Sequence, residues 1–306
     1  TAITKGDPLT AVVSEQQMGN PEIVAAAKQR WGLDKPLPVR YLIYVGNLLK
    51  GDMGTSFVTR QPVARDLMMR LPATFELVIS AMIIGSAVGI LFGLLAAYYR
   101  DTAIDQGARI FSLFGSSVPI FWLGLAALFL FSVKFQILPG PGRLDPRMAA
   151  PPVVTGFMTI DTLLAGNWTA FKDALLHLVL PSVVLGWTVA GTISRLVRAN
   201  MLEVMEREFI LTARAKGAGE MRVVLRHALP ASVIPALNSA ALYVAGLLSG
   251  IIVVEKVFGY PGLGLVLINA VEKREVAVVQ AISLTAAVIV VTMNVLADAA
   301  VMALDP

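Results

Sequence analysis

The sequence has no cysteine and only two histidines, His177 and His227, in 306 residues. The first absence excludes a disulfide framework, a cysteine nucleophile and thiolate metal ligands. The second leaves almost nothing for a zinc site. Charge is scarce too, at 15% of residues, where soluble domains carry about 25%. Hydrophobic residues make up 56% of the chain and the mean hydropathy is +0.72. That excess excludes a soluble globular enzyme and a disordered chain, and it points to a membrane protein. The net charge of +4 forms no basic stripe of the kind nucleic acid needs, so it reads as membrane-flank charge. A phosphate-binding G-x-x-x-x-G-K-[ST] loop is also missing, and no Lys is followed by Ser or Thr. The chain therefore cannot cradle ATP by that route.

The long apolar runs come next. A membrane span needs about 20 mostly apolar residues. Five stretches qualify as helices: Ala73–Tyr99, Ile110–Val133, Ala174–Ser194, Ala228–Val254 and Val276–Ala297, the last continuing to about Leu304. None alternates in the way a β-barrel strand would. The expected fold is an all-α integral membrane protein with five visible transmembrane helices.

Lys and Arg in short loops set the orientation. Arg100 and Arg109 lie between spans one and two. Arg195, Arg198, Arg207, Arg214, Lys216, Arg222 and Arg226 lie between spans three and four. Both loops are expected in the cytoplasm. The segments 134–173 and 255–275 are then expected outside. This order also places residue 1 outside, so a sixth, earlier span is expected upstream. Residues 1–72 form an expected external helical segment. Residues 73–306 form the expected transmembrane domain, with a cytoplasmic loop at about 200–229.

Local signals subdivide the external segment. Asn20-Pro21-Glu22 is a helix start, with Asn as cap and Pro in the first turn, and Gly32 is a stop. Pro38–Lys50 reads as a second helix. Pro62–Leu71 reads as a third, with Val63, Leu67 and Leu71 on one face. Such a segment is either a solvated lid or a docking surface. Gly85, Gly89 and Gly93 stand four apart and favour close helix packing. Pro119 and Pro181 interrupt spans.

Polar groups inside spans are the default functional candidates. Glu76, Asn238, Asn294 and Asp298 are therefore candidates for a solute path. Structural hydrogen bonding is the competing account of each. The richest loop is Glu208–Pro230, EFILTARAKGAGEMRVVLRHALP. Its first half is a short helix broken at Gly217 and Gly219, followed by a return helix from Glu220. Thr212, Ala213, Ala215 and Ala218 are small enough to admit a partner's backbone, with Arg214 and Lys216 flanking.

This loop resembles the "EAA" loop of permease subunits in binding-protein-dependent ABC importers. Ala213, Gly217, Leu229 and Pro230 fall at matching positions. Leu211, Thr212 and His227 depart from the general pattern. The departures look like the dipeptide/oligopeptide/nickel branch, which reads TARAKG…RHAL. Further matching segments are Gly6-Asp7-Pro8, Trp31–Pro38, Gly51–Ser56, Arg70–Thr74, Pro119–Gly124, Val254–Gly264 and Asp305-Pro306. The resemblance implies a type I importer fold whose first span lies upstream. It implies a bacterial or archaeal cytoplasmic membrane. It implies a non-catalytic subunit that forms half of a pathway for peptides or related solutes. It further implies a second, paralogous permease, two ATPase subunits and an external substrate-binding protein. ATP and Mg would sit on the ATPases, and no cofactor on this chain. The segment Thr212, Ala213, Arg214, Ala215, Lys216, Gly217 and Ala218 would be the ATPase-coupling element.

Two other classes fit the sequence less well. An ion-coupled secondary transporter would need a coupling-ion site at broken helices in inverted repeats, and the sequence has no internal repeat. An intramembrane serine protease would need Ser116 or Ser117 within reach of His177. The expected topology puts them on opposite sides of the bilayer.

Overall fold

The computed structural model describes residues 18–32, 34–233, 235 and 250–304, and most of the described residues are helical. Helix α1 is Pro21–Trp31. The Asn20 side chain accepts from the Glu22 amide at 3.0 Å, and Gly32 ends the helix at φ 57°. Helix α2 is Leu37–Leu49 and stops before Gly51, at φ 79°. Both follow the capping signals.

Helix α3, Val63–Tyr98, is 36 residues long. It fuses the expected third external helix with the first expected span, so the boundary at residue 72 falls inside one helix. The reason is that Pro72 removes a single hydrogen bond. Leu67 and Val63, five and nine residues before it, are buried and hold the same helical register. The ring of Pro72 is also supported from outside, because a Cβ on Gly156 would lie 2.7 Å from Pro72 Cγ. At about 1.5 Å per residue, α3 is roughly 54 Å long, well beyond the ~30 Å hydrocarbon layer.

The second expected span is not one straight helix. It consists of α4, Ala103–Ser117, and α5, Ile120–Ala127, the latter continuing as a π-helical stretch Leu128–Lys134. The two arms meet at a 105° bend. Pro119 biases the residue before it away from helix, and Val118 is extended, at ψ 128°. Helix α6 is Met158–Leu164 and α7 is Trp168–Val204, which runs through Pro181 unbroken. Then come α8, Glu208–Ala215, and α9, Glu220–Arg222, continued by a π-helical stretch Val223–Ala228. Of the fourth expected span only residues 228–233, 235 and 250–254 are described, so Asn238 lies outside the described residues. So do Gly6-Asp7-Pro8 and Asp305-Pro306. Helix α10 is Leu263–Glu272 and α11 is Val276–Leu304, which contains the fifth expected span.

The α3–α7 seam organises the fold. Cβ atoms built on Gly85, Gly89 and Gly93 would lie 2.5, 2.8 and 2.7 Å from the carbonyl oxygens of Gly186, Ala190 and Ser194. No side chain fits there, so the backbones themselves touch. Residue numbers rise together along this register. The two helices therefore run parallel, as they must if a single crossing separates them. Leu77, Leu185, Ile193 and Val197 are fully buried along the seam. α4 crosses α7 by the same device, since a Cβ on Gly191 would lie 2.9 Å from the Ser112 carbonyl.

Candidate functional site

The α3 and α7 termini define two ends of the molecule. At the end that carries α8, the positive charges counted for orientation are not loose flanks. Asp105 is fully buried. Arg109 donates to its two oxygens at 3.0 and 2.7 Å, and Arg198 donates to the same pair at 2.8 and 2.8 Å. The Asp101 amide adds a third donor at 3.1 Å. Arg195 donates to the Ser112 carbonyl at 3.0 Å. This clamp fastens α4 to the last turns of α7, from which the α8 loop departs. Sequence reading counted the arginines but missed Asp105. An acid four residues before Arg109 was the available signal.

α8 is anchored on one side. Ile210 is fully buried with Met201, Val223, Val224 and Ala228. Ala213 and Ala218 pack against the same cluster. Arg214 clasps Glu220 through Nε and Nη2 at 3.1 and 2.6 Å, which closes the turn around Gly217 at φ 80°. That pairing holds the Glu220 carboxyl below its ordinary range. The seven residues expected as the coupling element divide between two sides of the loop. Ala213 and Ala218 face inward and Arg214 holds the turn, while Thr212, Ala215, Lys216 and Gly217 are exposed. Beside them Phe209 and Leu211 are 47% and 56% exposed. The small-residue search overlooked both. A large apolar pair on a short polar helix was the signal. What results is a projection anchored on one side by Ile210, with Phe209 and Leu211 exposed on its flanks and Thr212, Ala215 and Lys216 facing outward.

Gly217→Ala should destabilise the chain by about 1 kcal/mol, because a left-handed backbone costs an L-residue about that much. A lowered thermal midpoint of the detergent-solubilised protein would register it.

Three acids organise the opposite end. Glu76 is paired with Arg143. It also accepts from the Thr159 amide and hydroxyl at 2.8 and 2.6 Å, and from the Tyr260 hydroxyl at 2.9 Å. Glu255, fully buried, accepts from Thr74 Oγ1 at 2.7 Å and the Leu265 amide at 3.0 Å. Gly262 and Gly264 lie against its carboxylate, and a Cβ on Gly262 would come within 2.0 Å of Oε1. Glu275 accepts from Ser56 Oγ at 3.0 Å and the Val58 amide at 2.9 Å, and also from the Phe57 amide. The segments Arg70–Thr74, Gly51–Ser56 and Val254–Gly264, far apart in sequence, thus meet here. Glu76 was expected as a path residue. Its carboxylate is instead occupied on both oxygens, and it ties α3 to the loops.

The remaining candidates stand apart. Asn294 is half-buried on α11, and Asp298 lies on the same helix, with its side chain outside the described part. His177 Nδ1 contacts the Asp173 carbonyl at 2.9 Å. Among the described residues no cluster of three or more His, Cys, Asp or Glu could hold a metal ion.

Comparison with known proteins agrees with this architecture. The family of binding-protein-dependent transport system inner membrane components matches residues 89–306. The di/tripeptide transport system permease protein DppB of Pseudomonas aeruginosa is 43% identical over 293 residues, covering 96% of this chain and 87% of that protein. The dipeptide transport system permease protein DppB of Escherichia coli K12 is 40% identical over 295 residues, covering 96% and 87%. The glutathione transport system permease protein GsiC of Pectobacterium atrosepticum is 33% identical over 301 residues, covering 98% and 88%. With that match over most of its length and such relatives, the chain belongs to the family of binding-protein-dependent inner membrane components, the non-catalytic transmembrane permease subunits of ABC importers.

Proposed function

We propose that this permease conducts di- or tripeptides or closely related solutes, and that α8 with the following turn is its ATPase-coupling element. The substrate reading rests on the relatives named above. Those named for di- and tripeptides are more similar to this chain than the one named for glutathione. The coupling reading is carried by one observation: α8 is fixed on its inner side through Ile210, while Phe209, Leu211, Thr212 and Ala215 are exposed around it. A partner cleft that grips Phe209, Leu211, Thr212 and Ala215 would push on Ile210 and the clamp beneath it. The push would reach α4 and α7 without dissipating in a flexible loop.

The family brings ATPase subunits and a substrate-binding protein as partners. In our reading ATP and Mg²⁺ are held on the ATPases. A second, paralogous permease completes the pathway. In this reading the chain crosses the membrane several times, with α8 in the cytoplasm. The parallel run of α3 and α7 supports that order, since spans one and three must point the same way. Asn294, Asp298 and Asn238 are the residues proposed to face the solute. Glu76 is proposed to hold the outer end together. An ion-coupled mechanism finds no support in the family match.

The absence of cysteine supplies the test. A single Cys at Ala215, paired with one in the ATPase cleft, should cross-link, and ATP should change the yield several-fold. No cross-link at any position from 212 to 218, in a complex shown to be intact, would overturn the coupling assignment.

A further inference from the structure

Helix α2 is anomalous in its surroundings. Nine of its thirteen residues, LPVRYLIYVGNLL, are Leu, Ile, Val or Tyr, yet none is buried against the described part of the chain. Tyr41, Leu42 and Leu49 are 67%, 68% and 83% exposed. A 13-residue helix is marginal in water by itself, and an apolar patch of this kind needs a partner. At about 100° per residue, Val39, Tyr41, Leu42, Val45 and Leu49 share one side of the helix, and Arg40 lies roughly 160° from Leu42. Its inner side meets α1, where a Cβ on Gly32 would lie 2.6 Å from Ile43 Cδ1.

Three observations choose the occupant. First, α2 is too short to span a bilayer, at about 20 Å against ~30 Å. Secondly, it is leashed at the bilayer surface. The loop behind it pairs Gly54 with Val63, backbone to backbone at 2.9 Å, just as α3 begins. The same loop holds Glu275, the residue before apolar α11. α2 therefore hangs level with the ends of two membrane helices. Thirdly, between residues 35 and 50 the only charges are Lys35, Arg40 and Lys50, all positive, which complements phospholipid phosphates. Tyr41 and Tyr44 add the aromatic side chains enriched at that depth.

We propose that α2 is an interfacial anchor: it lies flat in the lipid headgroup region with its Leu42–Leu49 face among the acyl chains. The anchor fixes the height of the 51–62 loop, and through Glu275 the entry of α11. It rests on the chain being a membrane protein and not on the identity of the solute.

Single cysteines at Leu42, Leu49 and Arg40 would each carry a nitroxide in the assembled transporter. The transporter would be reconstituted in vesicles of phosphatidylethanolamine and phosphatidylglycerol. Collision rates with oxygen, which concentrates in the bilayer, and with a water-soluble nickel chelate report depth. At 42 and 49 oxygen should exceed nickel several-fold, and at 40 the order should reverse. Strong nickel access at 42 and 49 would overturn the anchor in favour of a solvated helix. Nickel access lost only when the substrate-binding protein is added would overturn it in favour of a protein docking surface. Low access to both reagents at all three sites would mean that protein covers the helix, which also overturns it. Transport measured on the same vesicles keeps this test separate: loss of peptide uptake with the depth profile intact would count against the substrate reading alone.

Discussion

Gly89→Ala is expected to destabilise the permease, and Gly89→Leu to prevent its assembly. By intrinsic propensity the first change should help, because Ala favours a helix over Gly by about 1 kcal/mol. Packing reverses the sign. A Cβ at 89 would sit 2.8 Å from the Ala190 carbonyl oxygen and 2.8 Å from Ile193 Cβ. The first contact is backbone and cannot rotate away, so α3 and α7 must separate. Overpacking of this kind costs about 1–3 kcal/mol for a small addition, and more for Leu. The seam repeats at Gly85 and Gly93, so separation at one contact loosens all three. Gly107→Ala is the matched control, because nothing lies within 4 Å of its Cβ. The thermal midpoint in detergent should fall for Gly89→Ala and hold or rise for Gly107→Ala. Equal shifts in the two would show that the helices do not touch here.

Asp105→Asn is expected to be the most damaging single change at the α8 end. The carboxylate is fully buried and receives four guanidinium hydrogen bonds. Asn keeps the shape but loses the charge, and it places an amide group where only acceptors fit. Removing one partner of a buried ion pair costs about 3–5 kcal/mol. The value here should sit near the lower end, because Arg198 and Arg109 are 21% and 44% exposed and can turn outward. In the unfolding midpoint this is a fall of several degrees. Transport should fall further than stability, since α8 would then hang from an unfastened α7. The double variant Asp105→Asn with Arg198→Met removes the more buried of the two stranded cations and should recover part of the loss. A double variant as unstable as the sum of the two singles would show that the residues do not interact.

Much of this was legible in the sequence, for identifiable reasons. Asn20 and Gly32 bounded α1 because capping is local chemistry. The glycine row at 85, 89 and 93 was readable as a packing face because a period of four is a property of the helix alone. The α8 turn announced itself through Gly217 and Gly219. By contrast, Pro119 and Pro181 carry the same local signal and met opposite fates. Pro119 bends its span by 105°, where Val118 is extended. Pro181 sits in an unbroken α7, buried within the fold. Pro72 likewise stands inside a continuous helix, because the buried Leu67 and Val63 earlier in α3 fix the register. A proline's own sterics remove one hydrogen bond, and whether the helix survives depends on what packs around it.

Taken alone, the sequence determined that this is a helical membrane protein and where several of its loops turn. These follow from composition, hydrophobic run length and local capping, all of which act within a few residues along the chain. Only the tertiary structure decided what the scattered charges do. Asp105 meets Arg198 across 93 positions, Glu76 meets Tyr260 across 184, and Ser56 meets Glu275 across 219. No periodicity encodes such pairs. They form because a buried carboxylate must find donors wherever the fold brings them.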